Sequence, residues 1–404
     1  MAVGLNEPDS LLPVRGIRLA SVAAGLKSSG GADLVLFELA ATSRVSAVFT
    51  QNAFCAAPVL IAKKHLHTAS PKYLLINSGN ANAGTGQQGL DAAETCCKML
   101  ANQTGVKSIE VLPFSAGVIG QNLAVEKFVE AIPEAVNLLA EDSWLKAGRG
   151  IMTTDTLLKG VSRQIEIDGK TITITGIAKG SGMIHPNMAT MLGYVATDAA
   201  VSRELLDSWL QKSVQRSFNS ITVDGDTSTN DACVLIATGQ SGIEFSNGED
   251  AGFNVFEDAL VEVFEYLAQA IIRDAEGATK FVSLKVLNAS DESEAKKVAY
   301  AIALSPLVKT ALFASDPNWG RILAAVGRSG VQLAIDKVEI YLDDVCIVEN
   351  GGRADSYTEE QGQAVMSRDE ITITVELNQG SASACVWTSD LSYDYVKINA
   401  KYRT

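Results

Sequence analysis

The chain has 404 residues, with 33 Lys and Arg against 47 Asp and Glu, which gives a formal net charge of −14. This balance argues against nucleic acid as a partner, because a row of phosphates requires clustered cations. Hydrophobic residues at 47% and charged residues at 20% are ordinary for a soluble globular enzyme of two or three lobes. No run approaches the ~20 apolar residues of a membrane span, and the first residues lack the features of a secretory signal. We therefore expect a cytoplasmic protein without a membrane partner.

The first half of the chain alternates predicted strands and helices. Apolar alternation and short apolar runs predict strands over 31–39, 45–50, 74–77 and 110–114. Helical spacing predicts helices over 87–103 and over 122–147, the second interrupted at Pro133. A hairpin is predicted over 164–175, because Asp168-Gly169 suits a tight type I′ turn.

The second half continues the pattern with a helix near 202–217, a polar segment at 224–231 and a strand over 232–237. A strongly periodic helix follows, with apolar residues along one stripe from 255 to 267. From about residue 283 the order strand, helix, helix, strand, hairpin predicts a smaller lobe. Strands with intervening helices and hairpins indicate a mixed α/β protein with layered sheets.

The segment most informative about chemistry is 179–193, which places Thr190 behind a turn rich in Gly, Pro and Asn. A Thr hydroxyl is a poor nucleophile without a base. If Thr190 becomes an N-terminus, its own α-amino group, with a pKa of about 7.7–8, can take the hydroxyl proton. Attack of its Oγ atom on the carbonyl of Ala189, followed by hydrolysis of the resulting ester, would release that amine. Gly180 and Gly182 would supply the tight backbone, although on composition alone an ordinary surface turn is favoured.

The residues Pro-Asn-Met-Ala-Thr-Met-Leu at 186–192 resemble the self-cleavage site of the ornithine acetyltransferase family. These are arginine-biosynthesis enzymes that move an acetyl group from N-acetylornithine to glutamate. Further segments resemble the family in the family's order, at 48–52, 77–83, 117–120, 151–156, 224–231, 273–280, 316–321 and 394–404. On these motifs the chain is identified as a member. The resemblance implies a layered β/α/α/β fold related to the self-processing aminopeptidases.

The resemblance also implies cleavage between Ala189 and Thr190. The products would be an α chain, 1–189, and a β chain, 190–404, with the smaller lobe at 283–404 inside the β chain. Two copies of each would form a heterotetramer. The freed Thr190 would accept the acetyl group as an ester and release ornithine, and glutamate would then attack the ester. This ping-pong scheme uses no cofactor, and the sequence leaves open whether acetyl-CoA is also a co-substrate.

Both half-reactions pass through an oxyanion, for which preformed donors are typically the largest catalytic contribution. The family draws these donors from a Ser-Thr-Gly-Val-Ile-Gly motif, using the Thr hydroxyl and the Gly backbone N–H. This chain has Ala116 in place of that Thr, followed by Gly117. Ala116 has no hydroxyl, so either Ser115 or a water replaces it, or the oxyanion hole is weaker here.

The resemblance assigns five further residues to the substrate pocket: Thr153, Lys179, Glu276, Asn399 and Thr404. Their mixed charges suit a zwitterionic amino acid, with a lysine for the α-carboxylate and a glutamate for a cationic group. Taken singly, Thr153 would be interpreted as a helix cap, Lys179 as a solvated lysine at a sheet edge and Glu276 as a surface acid at a helix end. Asn399 and Thr404 would be interpreted as residues of a fraying terminus.

The segment 224–231 is rich in Asp but lacks the ligand register of a calcium loop, so a hydrogen-bonded loop near the active site is expected. With three His and no metal-ligand spacing among the Cys, we expect no metal. Two other functions remain open. One is an N-terminal-nucleophile amidase or aminopeptidase of the same fold, and the other is a binding homologue impaired in catalysis, for which Ala116 is the motive.

Overall fold

The computed structural model describes residues 2–28, 30–185 and 191–400. The described strands form three sheets and one small ribbon. The N-terminal sheet has the order β1-β2-β4-β5, with β1 Ile17–Val22, β2 Leu34–Leu39, β4 Tyr73–Asn80 and β5 Val111–Val118. The central sheet has the order β3-β11-β8-β7-β6, with β3 Arg44–Phe49, β6 Lys159–Ile167, β7 Lys170–Lys179, β8 Leu192–Thr197 and β11 Ala232–Ala237.

The C-terminal sheet has the order β10-β18-β13-β17-β14-β15-β16. Its strands are β10 Ile221–Thr222, β13 Phe281–Ala289, β14 Glu339–Leu342, β15 Val345–Glu349, β16 Gly352–Arg353, β17 Glu370–Glu376 and β18 Ala382–Ser389. The ribbon pairs β9 Ala200–Val201 with β12 Glu244–Phe245.

The helices are α1 Ala57–Thr68, α2 Gly86–Thr104, α3 Phe128–Asn137, α4 Trp144–Ile151, α5 Arg203–Arg216, α6 Phe253–Arg273, α7 Glu292–Ala303, α8 Pro306–Phe313, α9 Trp319–Gly327, α10 Glu359–Met366 and α11 Tyr393–Ala400. Within the described ranges, none of them is long and apolar enough to cross a membrane.

The N-terminal and central sheets pack directly on each other. Phe37 of β2 and Phe114 of β5 contact Tyr194 of β8, with ring centroids 5.3 and 5.5 Å apart. The outer face of the N-terminal sheet is covered by α2 and α3, and that of the central sheet by α5 and α6. The mixed α/β class is confirmed.

The order of the layers differs from the β/α/α/β order that the resemblance implied. Here the two sheets lie inside, with α2 and α3 outside one and α5 and α6 outside the other, while α4 contacts strands of both sheets. The reason is visible in the strands: β8 is buried at every residue and β2 at all but one. Strands that are apolar on both faces need cover on both sides, and here each sheet receives it from the other sheet on one face and from helices on the other.

The C-terminal sheet has its own core, in which α7, α8, α9 and α10 pack on β13, β17 and β18. This sheet extends beyond the predicted lobe of residues 283–404, because β13 begins at Phe281 and β10 adds residues 221–222 in parallel with β18. The short strand β10 joins the C-terminal sheet to the chain segment that leads into the central sheet.

Most predicted elements are confirmed, with ends within one to three residues of those in the structure. The predicted helix over 122–147 is the exception. The structure has α3 and α4 there, and Pro133 lies inside α3. Proline removes one helical hydrogen bond to the carbonyl four residues earlier. That residue, Val129, is exposed, so water can satisfy its carbonyl, and the helix ends only at Asn137.

The predicted hairpin is confirmed with its turn. Asp168 and Gly169 both have positive φ, +49° and +71°, as a type I′ turn requires. The turn fixes the pairing of β6 with β7, which runs from Ile167 opposite Lys170 to Lys159 opposite Ala178. Both Lys159 and Lys179 thereby come to the same end of the hairpin.

Tyr194 provides a test of the packing between the two sheets. Its ring is buried, and among the described residues its hydroxyl has no hydrogen-bond partner. Because an unsatisfied buried hydroxyl is destabilising, Tyr194→Phe should raise the free energy of unfolding by about 1 kcal/mol in urea denaturation. Tyr73→Phe is the control, because the Tyr73 hydroxyl donates to Glu38 Oε1 at 2.7 Å. That variant should lower stability, and a loss of stability in Tyr194→Phe would contradict the prediction.

Candidate functional site

A cavity of about 270 Å³ opens beside the ends of β5 and β7 and the start of β11. Its walls come from seven separate stretches of the described chain. The lining residues are Ala116, Gly117, Val118, Ile119, Thr153, Thr154, Lys179, Gly180, Gly182, Met183, Ile184, Met191, Leu192, Ser228, Asn230, Asp231, Glu276 and Asn399.

Six of the residues singled out from the sequence lie on this wall: Ala116, Gly117, Thr153, Lys179, Glu276 and Asn399. The other three, Ala189, Thr190 and Thr404, lie outside the described residues. Met191, the residue that follows Thr190, lies on the cavity wall.

Gly117 occupies a position that only glycine fits. Its φ is +135°, and a Cβ atom there would overlap the main chain of Gly79 and Asn80. This close approach of β4 and β5 places the backbone of Gly117 at the cavity. The side chain of Ala116, one residue earlier, is buried and offers no donor.

Ser115 does not replace the missing hydroxyl. Its Oγ atom donates to Asn77 Oδ1 at 2.6 Å, while the amide nitrogen of Asn77 donates to the carbonyl of Asn80 at 2.9 Å. The Ser115 proton is therefore engaged within the sheet. This geometry argues against Ser115 as the replacement, and another neighbour, a bound water or a weaker oxyanion hole stay open as alternatives.

A buried ion triad lies behind the cavity. The Nζ atom of Lys159 is 2.6 Å from Asp155 Oδ1 and 2.6 Å from Asp274 Oδ2, and all three side chains are at most 1% exposed. Thr156 donates its hydroxyl and its backbone N–H to Asp274. In such surroundings a lysine is tolerated only with both partners in place.

The triad joins three segments of the cavity wall. Asp155 accepts from the backbone N–H of Thr153 at 2.9 Å and of Gly180 at 2.7 Å, and Gly180 follows Lys179. Asp274 lies two residues before Glu276. Burial disfavours ionisation of Asp155, but the ammonium groups of Lys159 and Lys179 outweigh it and hold its pKa below the ordinary range.

Lys179 faces the cavity without an ion-pair partner. Within the part of the chain that the structure describes, no carboxylate oxygen lies within the 4.0 Å limit of an ion pair from its Nζ atom. Burial lowers the pKa of Lys179, while the carboxylates of Asp155, Asp231 and Glu276 oppose that shift. In its ammonium form, this lysine would suit an anionic group of a ligand.

Glu276 is buried, which the sequence did not suggest. Its Oε2 atom accepts from the Asn399 side chain at 2.8 Å, and its backbone N–H donates to Ser181 O at 2.9 Å. The carboxylate lies against Gly182, where an added Cβ atom would overlap it. Helix α11 thus reaches the cavity through Asn399.

The segment 224–231 is the hydrogen-bonded loop that the sequence predicted beside the site. Asp224 accepts from the backbone N–H groups of Met183 and Ile184, at 2.7 and 3.0 Å, and from the Tyr395 hydroxyl at 3.1 Å. Across the described ranges, no group of three or more His, Cys, Asp or Glu could hold a metal ion.

Sequence reasoning missed the triad of Lys159, Asp155 and Asp274 and the buried acid Asp231. Lys159 stands at the start of a strand, where a lysine usually indicates solvent, and nothing in its spacing relates it to Asp274, 115 residues away. Asp231 is the last residue of a polar loop, and its burial follows from the sheet that it enters.

The chain matches the model of the ArgJ family over residues 18–404. It is 55% identical to the arginine biosynthesis bifunctional protein ArgJ of Pseudomonas fluorescens over 100% of both chains. The same-named protein of Methylococcus capsulatus is 55% identical, with 98% of this chain and 97% of that one covered. The chain therefore belongs to the ArgJ family.

Among solved structures, the arginine biosynthesis bifunctional protein ArgJ of Bacillus halodurans matches with a TM-score of 0.50 and 38% identity. The match covers 51% of this chain and 97% of that chain.

The buried triad predicts a large penalty for removing its cation. Lys159→Met leaves Asp155 and Asp274 as buried charges without compensation, so the free energy of unfolding should fall by about 3 kcal/mol in urea denaturation. Lys297→Met, at an exposed position of α7, is the matched control and should change stability by less than about 0.5 kcal/mol. Equal effects of the two substitutions would mean that the triad contributes nothing to folding.

Proposed function

We propose that this chain is an acyltransferase of arginine biosynthesis that moves an acetyl group from N-acetylornithine to glutamate. Membership of the ArgJ family supports the pathway, since the relatives carry arginine biosynthesis in their names. The observation that carries the proposal is the cavity itself. It gathers a glycine backbone, a threonine, a lysine and a buried glutamate beside Met191, the residue that follows the proposed nucleophile.

The first step is self-cleavage between Ala189 and Thr190. The Thr190 hydroxyl attacks the preceding carbonyl, and the acyl group shifts from nitrogen to oxygen. Water then hydrolyses the ester and leaves Thr190 with a free α-amino group. That amine can serve as the base for its own hydroxyl near neutral pH.

The fold supports the survival of the site after such a cut. The central sheet contains β3, β6 and β7 from before the bond and β8 and β11 from after it. Antiparallel pairing of β7 with β8 runs from Ile174 opposite Thr197 to Lys179 opposite Leu192. The products, 1–189 and 190–404, would therefore stay joined in one sheet, and we extend the proposal to a heterotetramer of two copies of each.

In the transfer reaction, the Thr190 oxygen takes the acetyl group from N-acetylornithine, and ornithine leaves. The glutamate amine then attacks the acetyl ester and regenerates the hydroxyl. Each step develops an oxyanion, for which the backbone N–H of Gly117 is the proposed donor. Because Ala116 supplies no hydroxyl, one donor worth about 2.7–4 kcal/mol is absent unless a water replaces it.

The substrate groups match the charges on the wall. Lys179 forms no ion pair with the residues that the structure describes, and it suits the α-carboxylate that both substrates carry. Glu276, with Asn399 bonded to it, suits a cationic group of the substrate. Thr153 and Thr404 complete the proposed pocket. The acetyl group moves between substrates through the enzyme, so the scheme needs no cofactor, and acetyl-CoA would enter only as another acetyl donor.

Intact mass spectrometry tests the nucleophile. The wild type should give two fragments, 1–189 and 190–404, whereas Thr190→Ala should remain a single chain because it lacks the attacking oxygen. Thr190→Ser is the control, since it retains a hydroxyl and should still cleave. A wild type that stays at full length under native conditions would contradict the proposal and favour a binding protein.

Release of acetate from N-acetylornithine without transfer to glutamate would favour an amidase.

Gly182→Ala tests Glu276 without altering it. The added methyl group displaces the Glu276 carboxylate, so KM for N-acetylornithine should rise about tenfold, the equivalent of 1.4 kcal/mol. Stability should hardly change, because the displaced atoms are the end of a flexible side chain. Gly327→Ala, where a Cβ atom meets open space, should leave KM unaltered. An unchanged KM in Gly182→Ala would remove Glu276 from substrate binding.

A further inference from the structure

Asp231 is a buried acid on the cavity wall that none of the steps above uses. It is 3% exposed, and among the described residues its Oδ2 atom has no hydrogen-bond partner. Burial raises its pKa well above the ordinary value, against the opposing hydrogen bonds of Ser228 and the charge of Lys179. A buried carboxyl oxygen with unused acceptor capacity is costly in a folded protein, so its retention at a cavity calls for a function.

The backbone around Asp231 is fixed on both sides. Its own carbonyl accepts from the N–H of Thr50 at 2.9 Å, and the N–H of the next residue, Ala232, donates to Met191 O at 2.9 Å. The Asn230 side chain donates to the carbonyls of Ala81 and Ser115, at 2.6 and 2.9 Å. These bonds hold the main chain that carries the Asp231 carboxyl, so its place on the cavity wall is built into the sheet that it enters.

Asp231 and Glu276 lie on the same cavity wall but differ in their hydrogen bonding. Lys179 and Glu276 share the cavity wall with it, and Asp155 and Lys159 lie behind Lys179. Glu276 already accepts a hydrogen bond from Asn399, whereas Asp231 Oδ2 has no hydrogen-bond partner among the described residues. Because burial raises its pKa, the ionised Asp231 carboxylate is a stronger base than an ordinary aspartate and is suited to take up a proton.

The proposed transfer requires such a group. An amino acid that accepts an acetyl group arrives as an ammonium ion, which has no lone pair to attack an ester. We propose that Asp231 binds the amino group of the acetyl acceptor and takes its proton. This inference rests on the proposed function and adds to it a named residue for the second half-reaction.

One ammonium proton moves to Asp231 Oδ2, and the freed lone pair forms the C–N bond to the acetyl carbon. The ester C–O bond breaks, and the Thr190 oxygen takes the second proton lost by the nitrogen. Asp231 returns its proton to water when the product leaves.

Comparison of two acceptors tests this role. Purified full-length enzyme with N-acetylornithine as donor is assayed with glutamate or with hydroxylamine, whose nitrogen is largely unprotonated at neutral pH. In Asp231→Asn, kcat with glutamate should fall about 100-fold, while transfer to hydroxylamine stays within about threefold of the wild type. The glutamate rate of the variant should rise with pH as the free amine accumulates.

Two further variants complete the experiment. Asp226→Asn, an exposed acid of the same loop, should leave both rates unchanged. Asp231→Glu keeps a carboxyl and should recover part of the glutamate rate. An unchanged glutamate rate in Asp231→Asn overturns the inference. It is also overturned if, in both Asp231→Asn and Asp231→Glu, the rates with glutamate and with hydroxylamine fall equally. A wild type that transfers to neither acceptor overturns the proposed function itself, and with it the role given to Asp231.

Discussion

The site depends on one buried interaction, the Lys159 ammonium held between Asp155 and Asp274. Through these two carboxylates, a single cation fixes the loop of Thr153, the end of the strand that carries Lys179, and the turn that carries Glu276. Burying three charges is tolerated only when all are present together. The triad therefore positions together the three segments that carry the proposed substrate contacts, and no segment is positioned alone.

The sheets supply the second constraint. Because the N-terminal and central sheets pack face to face, the ends of β5, β7 and the start of β11 meet at one edge. Gly117 permits the close approach on one side, and Gly182 makes room for the Glu276 carboxylate on the other. Strands from both sides of the proposed cleavage bond share the central sheet, so the proposed nucleophile and its surroundings would remain one unit after processing.

Three ionisable side chains are on the described cavity wall, and they differ in hydrogen bonding and ion pairing. Lys179 is a cation without an ion-pair partner among the described residues, Glu276 is a carboxylate bonded to Asn399, and Asp231 is an acid with a raised pKa and one open oxygen. A zwitterionic amino acid presents the complementary set of groups. Burial opposes ionisation of Lys179 and of Asp231 alike, so a ligand that brings the opposite charge would relieve both.

The sequence by itself determined the family, the mixed α/β class, the hairpin at Asp168-Gly169 and the membership of six residues in one site. The class and the hairpin follow from local signals, namely period-2 and helical spacing and turn residues, whereas the family and the six residues follow from the resemblance that the contiguous motifs carry. Only the tertiary structure decided the layer order, the engagement of Ser115 with Asn77, the burial of Glu276 and the roles open to Lys159 and Asp231. The physical reason is that burial and charge pairing are properties of residues far apart in the chain, and one-dimensional spacing does not record which of them meet.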